Sequence, residues 1–115
     1  MKLAVVGSRT FNNYELLCKY LNTIHAKEPI THIVSGGARG ADKMGERWAK
    51  ENGVETIIFI PEWEKYGKKA GFLRNQDIIN EADKVLTMWD GLSNGTKNSI
   101  ELAKRQGKKC LVVNF

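Results

Sequence analysis

A chain of 115 residues with 42% hydrophobic content fits one domain, residues 1–115, around a single core, and leaves no room for a second. Two cysteines exclude a disulfide scaffold, and no apolar run approaches the ~20 residues a membrane-spanning helix needs. The formal charge of +5 suits an anionic partner, but Lys and Arg are scattered, with clusters only at Lys68-Lys69 and from Lys104 to Lys109, short of the dense basic stripe of a nucleic-acid groove. No cationic leader with a cleavage site opens the chain, so a cytoplasmic protein with reduced, buried thiols at Cys18 and Cys110 is expected.

Lys2 to Val6 reads as a buried strand, broken by Gly7-Ser8-Arg9-Thr10. After Phe11, the residues Tyr14, Leu17, Cys18, Leu21 and Ile24 recur at helical spacing, with Asn12 and Glu15 placed as a cap and its partner, and the helix ends before Pro29. Thr31 to Val34 is a second strand. It runs into Ser35-Gly36-Gly37-Ala38-Arg39-Gly40-Ala41-Asp42, and a helix follows with Ala41, Met44, Gly45, Trp48 and Ala49 inward and Asn52-Gly53 as its stop. Three glycines so close together predict a main chain that approaches something closely with its N–H groups free, and the natural guest is a phosphate. A tight strand-to-helix turn without a ligand is the alternative.

Glu55 to Ile60 is a third strand, closed by Pro61. Glu62 to Gly71 mixes Trp63, Tyr66 and charges without core periodicity and reads as a mobile or ligand-shaped loop. A helix from Phe72 to Ala82 turns Ile78 and Ile79 inward and carries Arg74-Asn75 in its first turn, where a cation opposes the helix dipole and so favours a role in holding an anion, with an exposed salt bridge as the alternative. Lys84 to Met88 is the fourth strand. The loop from Trp89 to Thr96 opens a last helix, capped by Asn94 or Thr96, with Ile100, Leu102 and Ala103 inward and Gly107 at its end; Lys109 to Val113 is the fifth strand.

Strands alternating with four helices predict an α/β fold: a three-layer, Rossmann-like open parallel sheet of five strands in the order 3-2-1-4-5. Ligands of such sheets bind outside the carboxyl ends of the strands, where the order reverses. Three unusual loops fall there: Gly7 to Thr10, Ser35 to Asp42 and Trp89 to Thr96. Amides around Gly36, Gly37 and Gly95 and the hydroxyls of Ser8, Ser35, Ser93 and Thr96 suit phosphate oxygens. Arg9, Arg39 and Arg74 suit phosphate or carboxylate. Asp42 and Asp90 are acceptors for sugar hydroxyls or an exocyclic amine and the two catalytic candidates, although Asp42 equally suits its own helix start and Asp90 a turn. Trp89, Trp63 or Phe11 could stack on a base, although tryptophan is more often core.

Gly7-Ser8-Arg9, then Ser35 to Asp42, Ala70-Gly71, Arg74-Asn75, Asp83, and Trp89-Asp90-Gly91 with Ser93, Gly95 and Thr96, resemble the SLOG superfamily in the right order along nearly the whole chain. The superfamily includes small stand-alone YspA-like proteins, the LOG phosphoribohydrolases and the Rossmann-like domain of the DNA-processing protein A family. The resemblance implies a nucleotide or nucleotide-derived small molecule as ligand, no required cofactor or metal and frequent homo-oligomers, and the short apolar runs lead us to expect no membrane partner. It assigns ligand binding to Gly7, Ser8, Arg9 and Thr10; to Ser35, Gly36, Gly37, Ala38, Arg39 and Asp42; to Arg74 and Asn75; and to Trp89, Asp90, Gly91, Ser93, Gly95 and Thr96. LOG enzymes carry a glutamate three residues after the Gly-Thr of a Pro-Gly-Gly-X-Gly-Thr loop. Here Ser99 stands in its place and Asp90-Gly91-Leu92-Ser93 replaces the segment that holds the Pro-Gly-Gly, while Arg74 matches the LOG helix arginine. A binding role as sensor, carrier or sequestering protein is therefore expected first, hydrolysis of an N-glycosidic or phosphate bond second, and single-stranded nucleic-acid binding third.

Overall fold

The computed structural model describes all 115 residues. In chain order the elements are β1 (Lys2–Gly7), α1 (Tyr14–Lys27), β2 (His32–Ser35), α2 (Ala41–Glu51), β3 (Glu55–Ile58), α3 (Trp63–Tyr66), a 3-10 turn (Gly67–Lys69), α4 (Ala70–Glu81), β4 (Lys84–Trp89), α5 (Asn94–Arg105) and β5 (Cys110–Asn114). The strands form one parallel sheet in the order β3-β2-β1-β4-β5. The predicted α/β Rossmann-like architecture is thus the observed one.

The period of two along the strands divides the core. Leu3 and Val5 of β1, Ile33 of β2, and Leu86 and Met88 of β4 face one layer, where Leu17, Leu21, Trp48 and Ala49 of α1 and α2 cover them. Ala4, Val6, Val34 and Val85 face the other, under Ile78 and Ile79 of α4 and Leu102 and Ala103 of α5. A strand buried on both faces has to be apolar at nearly every position. That is why Leu3 to Val6 reads as an unbroken run and why β1 lies at the centre of the sheet.

The structure corrects several local expectations. The first helix is capped by Asn13, whose side chain accepts the Leu16 amide at 3.1 Å, and not by Asn12. The cap of α5 is Ser93, accepting the Thr96 amide at 3.5 Å, and not Asn94 or Thr96. The third strand ends at Ile58, although the Phe59 amide still donates to the Ser35 carbonyl at 2.9 Å. The segment 62–71 is not a loop: α3, the 3-10 turn and the first residues of α4 occupy it. Helix α4 consequently starts at Ala70, so Arg74 is its fifth residue and lies outside the first turn, and the dipole argument for it fails. Cys18 and Cys110 are free and half-buried rather than fully enclosed. No helix is long and apolar enough to cross a membrane.

Candidate functional site

At the carboxyl ends of the strands lies a cleft of about 350 Å³. Val6 to Thr10 line it from β1 and its loop, Ala38 and Asp42 from the glycine turn, Arg74 and Asn75 from α4, and Asp90, Ser93, Gly95, Thr96 and Ser99 from the β4–α5 connection. Of the residues expected in a site, Ser35, Gly36, Gly37, Arg39, Trp89 and Gly91 do not line this cleft. Val6 and Ser99 do, and were not predicted. Val6 reads only as core in the sequence. Ser99 sits three residues after Thr96, which places both on one face of α5, and it stands where LOG enzymes carry their glutamate, so spacing and resemblance both point to it.

The glycine turn works differently from its expected role. The Gly36 amide donates to Asp42 Oδ2 at 2.9 Å and the Gly37 amide to Ser35 Oγ at 3.1 Å, while Ser35 Oγ donates to Glu46 Oε2 at 2.6 Å. Two amides expected to be free for phosphate are therefore bonded within the protein. The close approach the glycines permit is made to other parts of the chain. A Cβ on Gly36 would lie 2.4 Å from Arg74 Nη1, and one on Gly40, where φ is +85°, would lie 2.5 Å from the Ser8 carbonyl. Glycines here bring the β1 loop, the β2–α2 turn and Arg74 together, and the cleft is what remains between them.

Arg74 is half-buried and fixed at two points: Nη1 donates to the Gly36 carbonyl at 2.7 Å and Nε to Asn75 Oδ1 at 3.1 Å. Asn75 is buried, and its amide nitrogen donates to the Gly95 carbonyl at 3.3 Å and to Asn98 Oδ1 at 3.2 Å. Asn75 therefore ties α4 to the start of α5 and orients the guanidinium between them. Burial lowers the Arg74 pKa, with Asp42 opposing and Arg9 adding to the effect. Neither Arg74 nor the exposed Arg9 belongs to any of the four ion pairs of the molecule. Two guanidinium groups thus line one cleft without a carboxylate paired to either, and the amides of the first α5 turn, Asn94 and Gly95, have no partner within their own helix.

The two carboxylates are held by backbone. Asp90 Oδ1 accepts the Leu92 and Ser93 amides, both at 2.8 Å, while the Asp90 amide donates to Ser8 Oγ at 3.1 Å. The Ser93 and Leu92 amides keep the Asp90 carboxyl below its usual range, so it stays ionised and shapes the β4–α5 loop. Asp42 is only 4% exposed, and burial pushes its carboxyl up to about 6 against the pull of the Gly36 amide and the Arg74 charge, with Glu46 adding to the rise.

A carboxyl that keeps its proton to higher pH when folded than its unfolded value of 3.8 favours the folded state most in acid. Its contribution is lost as pH rises from about 4 to about 6, by up to about 3 kcal/mol. The Asp42→Asn variant retains an acceptor for the Gly36 amide and should lack this slope in urea unfolding series from about pH 4 to about pH 7. Asp90, Glu28 and Glu51, held low by their partners, act in the opposite direction in both proteins. An unchanged slope in the variant would assign the effect to another group.

No aromatic side chain lines the cleft. Phe11, expected as a base platform, is buried at 2% exposure in an edge-to-face pair with Phe115, centroids 5.0 Å apart. Trp89 is half-buried with Nε1 donating to the Ser93 carbonyl at 3.1 Å, and Trp63 stands exposed on α3. No group of three or more His, Cys, Asp or Glu side chains gathers to hold a metal ion.

Known proteins place the chain in a family. It is 34% identical, over an alignment of 121 residues, to the Gene 61 protein of Mycobacterium phage D29, covering 99% of this chain and 95% of that protein. In structure it is similar to DNA processing protein A (DprA) from Streptococcus pneumoniae, with a TM-score of 0.77 and 23% identity over 96% of this chain and 49% of DprA. The chain spans about half the length of DprA, and the likeness is one of fold. The sequence model of the YspA, cpYpsA-related SLOG family matches residues 1–66, from β1 through α3 and including the glycine turn. With more than half of its length matched, the chain belongs to the YspA, cpYpsA-related SLOG family.

Proposed function

We propose that the cleft binds a nucleotide or nucleotide-derived small molecule through its phosphate, as a sensor, carrier or sequestering protein. The observation that carries this reading is the pair of guanidinium groups, Arg9 and Arg74, lining one cleft without an ion-paired carboxylate, beside the unpartnered amides at the start of α5. A guanidinium fork and helix-terminal amides match the oxygens of a phosphate, and a half-buried site strengthens both interactions. Thermal unfolding with a panel of nucleoside mono- and diphosphates tests it. Saturating ligand at about a hundred times its Kd should stabilise the protein by roughly 2.7 kcal/mol. The absence of any shift across the panel would contradict the reading.

Gly95 provides a separate check. A Cβ there meets nothing within 4 Å, and the residue lies in the first turn of α5 with no positive φ. Gly95→Ala should therefore raise stability by roughly 0.5–1 kcal/mol through helix propensity. The added methyl should at the same time weaken nucleotide binding several-fold. A gain in stability with full affinity would put the phosphate away from α5.

Hydrolysis is a second reading, and Asp42 favours it: a buried carboxyl pushed up to about 6 that lines the cleft is suited to proton donation near neutral pH. Chromatography of nucleotides after incubation with the wild-type protein and with Asp42→Asn separates the two, since only the hydrolase reading predicts free base or phosphate that the variant does not release. DNA is the occupant suggested by the name of DprA, and a single strand is the form considered for this chain. For this chain it predicts oligonucleotide binding that falls steeply with salt.

A further inference from the structure

We propose that recognition in this cleft stops at a sugar phosphate, so that the base of a nucleotide projects out of it without a specific contact. The proposal rests on the phosphate-binding reading above and narrows its ligand class. A base is recognised by stacking on an aromatic or broad apolar face together with hydrogen bonds to its edge. The cleft offers no such face: Val6 and Ala38 are its only apolar lining residues, and Phe11, Trp63 and Trp89 all lie outside the lining. This departs from the usual small-molecule pocket, which is mostly apolar with a few polar groups that fix orientation.

What the cleft does offer suits a phosphorylated pentose. Arg9 and Arg74 supply charge for the phosphate, and Thr10 supplies a hydroxyl. Asp42 and Asp90 both line the cleft, each already accepting backbone amides, Asp42 from Gly36 and Gly7 and Asp90 from Leu92 and Ser93, and the carboxylate lone pairs these leave can accept from a sugar hydroxyl. The volume of about 350 Å³ is at the small end for ligand pockets and accommodates a pentose phosphate.

Isothermal titration of the wild-type protein and of Arg74→Ala with ribose 5-phosphate, AMP, GMP, CMP, UMP and adenosine decides the matter. We expect ribose 5-phosphate and all four monophosphates to bind within about threefold of one another, adenosine to bind at least a hundredfold more weakly, and Arg74→Ala to lose the common affinity. One monophosphate exceeding ribose 5-phosphate and the other three by tenfold or more, with that affinity lost in Arg74→Ala, would overturn the sugar-phosphate limit and leave the phosphate site standing. Binding that survives Arg74→Ala, or no binding by any of the six, would overturn both.

Discussion

Replacing Arg74 with alanine should lower affinity for a nucleoside monophosphate by about 100-fold or more, the equivalent of ~3 kcal/mol, which is the range expected for charge-assisted hydrogen bonds to phosphate. The size of the effect follows from how the side chain is held. Nη1 and Nε are anchored on the Gly36 carbonyl and Asn75 Oδ1, so the remaining edge of the guanidinium reaches the cleft already oriented, and little side-chain entropy is left to lose on binding. Removing Arg74 also frees the Gly36 carbonyl, at a cost of about 1 kcal/mol in stability, too little to unfold the domain. Arg74→Lys separates charge from geometry. It keeps the positive charge but cannot hold Gly36 and Asn75 and face a phosphate at once, so it should regain less than a tenth of the wild-type affinity. Full recovery with lysine would mean that the cleft responds to charge alone.

A large loss of stability is expected at Gly40. A Cβ there would lie 2.5 Å from the Ser8 carbonyl and 2.9 Å from the Arg9 Cα, and φ is +85°. The opposing atoms are backbone and cannot rotate away, so Gly40→Ala adds a steric conflict to the left-handed strain and should cost roughly 3–4 kcal/mol. Gly91 is the matched control, with φ +83° and nothing within 4 Å of an added Cβ. Gly91→Ala meets the backbone strain alone, roughly 1–2 kcal/mol. Urea unfolding of the two variants should therefore differ by about 2 kcal/mol. Equal losses would show that the β1 loop and the glycine turn are not in close contact.

The layering of the fold is legible because each strand states its own environment. Leu3 to Val6 is apolar throughout since both faces are covered, and the regular return of helical periodicity after every strand dictates parallel crossovers, for which the observed order β3-β2-β1-β4-β5 is the standard solution. Segment 62–71 escapes because α3 is four residues long and exposed, too short for a period and without an inward face. Asn12 and Asn13 are equivalent as residue types, and only the entry angle of α1 distinguishes the one that caps it.

At the site, the sequence marks which loops converge but not which groups remain available. Asp42 and Gly36 are six residues apart, and Arg74 meets Gly36 across 38 residues. Neither contact leaves a local pattern, so the glycine turn reads as a donor of free amides when its Gly36 and Gly37 amides are already taken. Phe11 fails as a base platform for a similar reason: it follows a polar turn, and only the packing of Phe115 against it shows that it is core.

The proposed phosphate site lies between Arg74, the β1 loop and the start of α5. Two-dimensional ¹H–¹⁵N NMR during titration with AMP reports on each of these places at once. The largest shifts should fall on the backbone amides of Arg9, Asn94 and Gly95 and on the guanidinium N–H groups of Arg74 that face the cleft, with little change at Gly36 and Gly37, whose amides are engaged by Asp42 and Ser35. Shifts concentrated at Gly36 and Gly37, or confined to the shallow groove that Lys50, Val54 and Thr56 line between α2 and β3, would rule this site out.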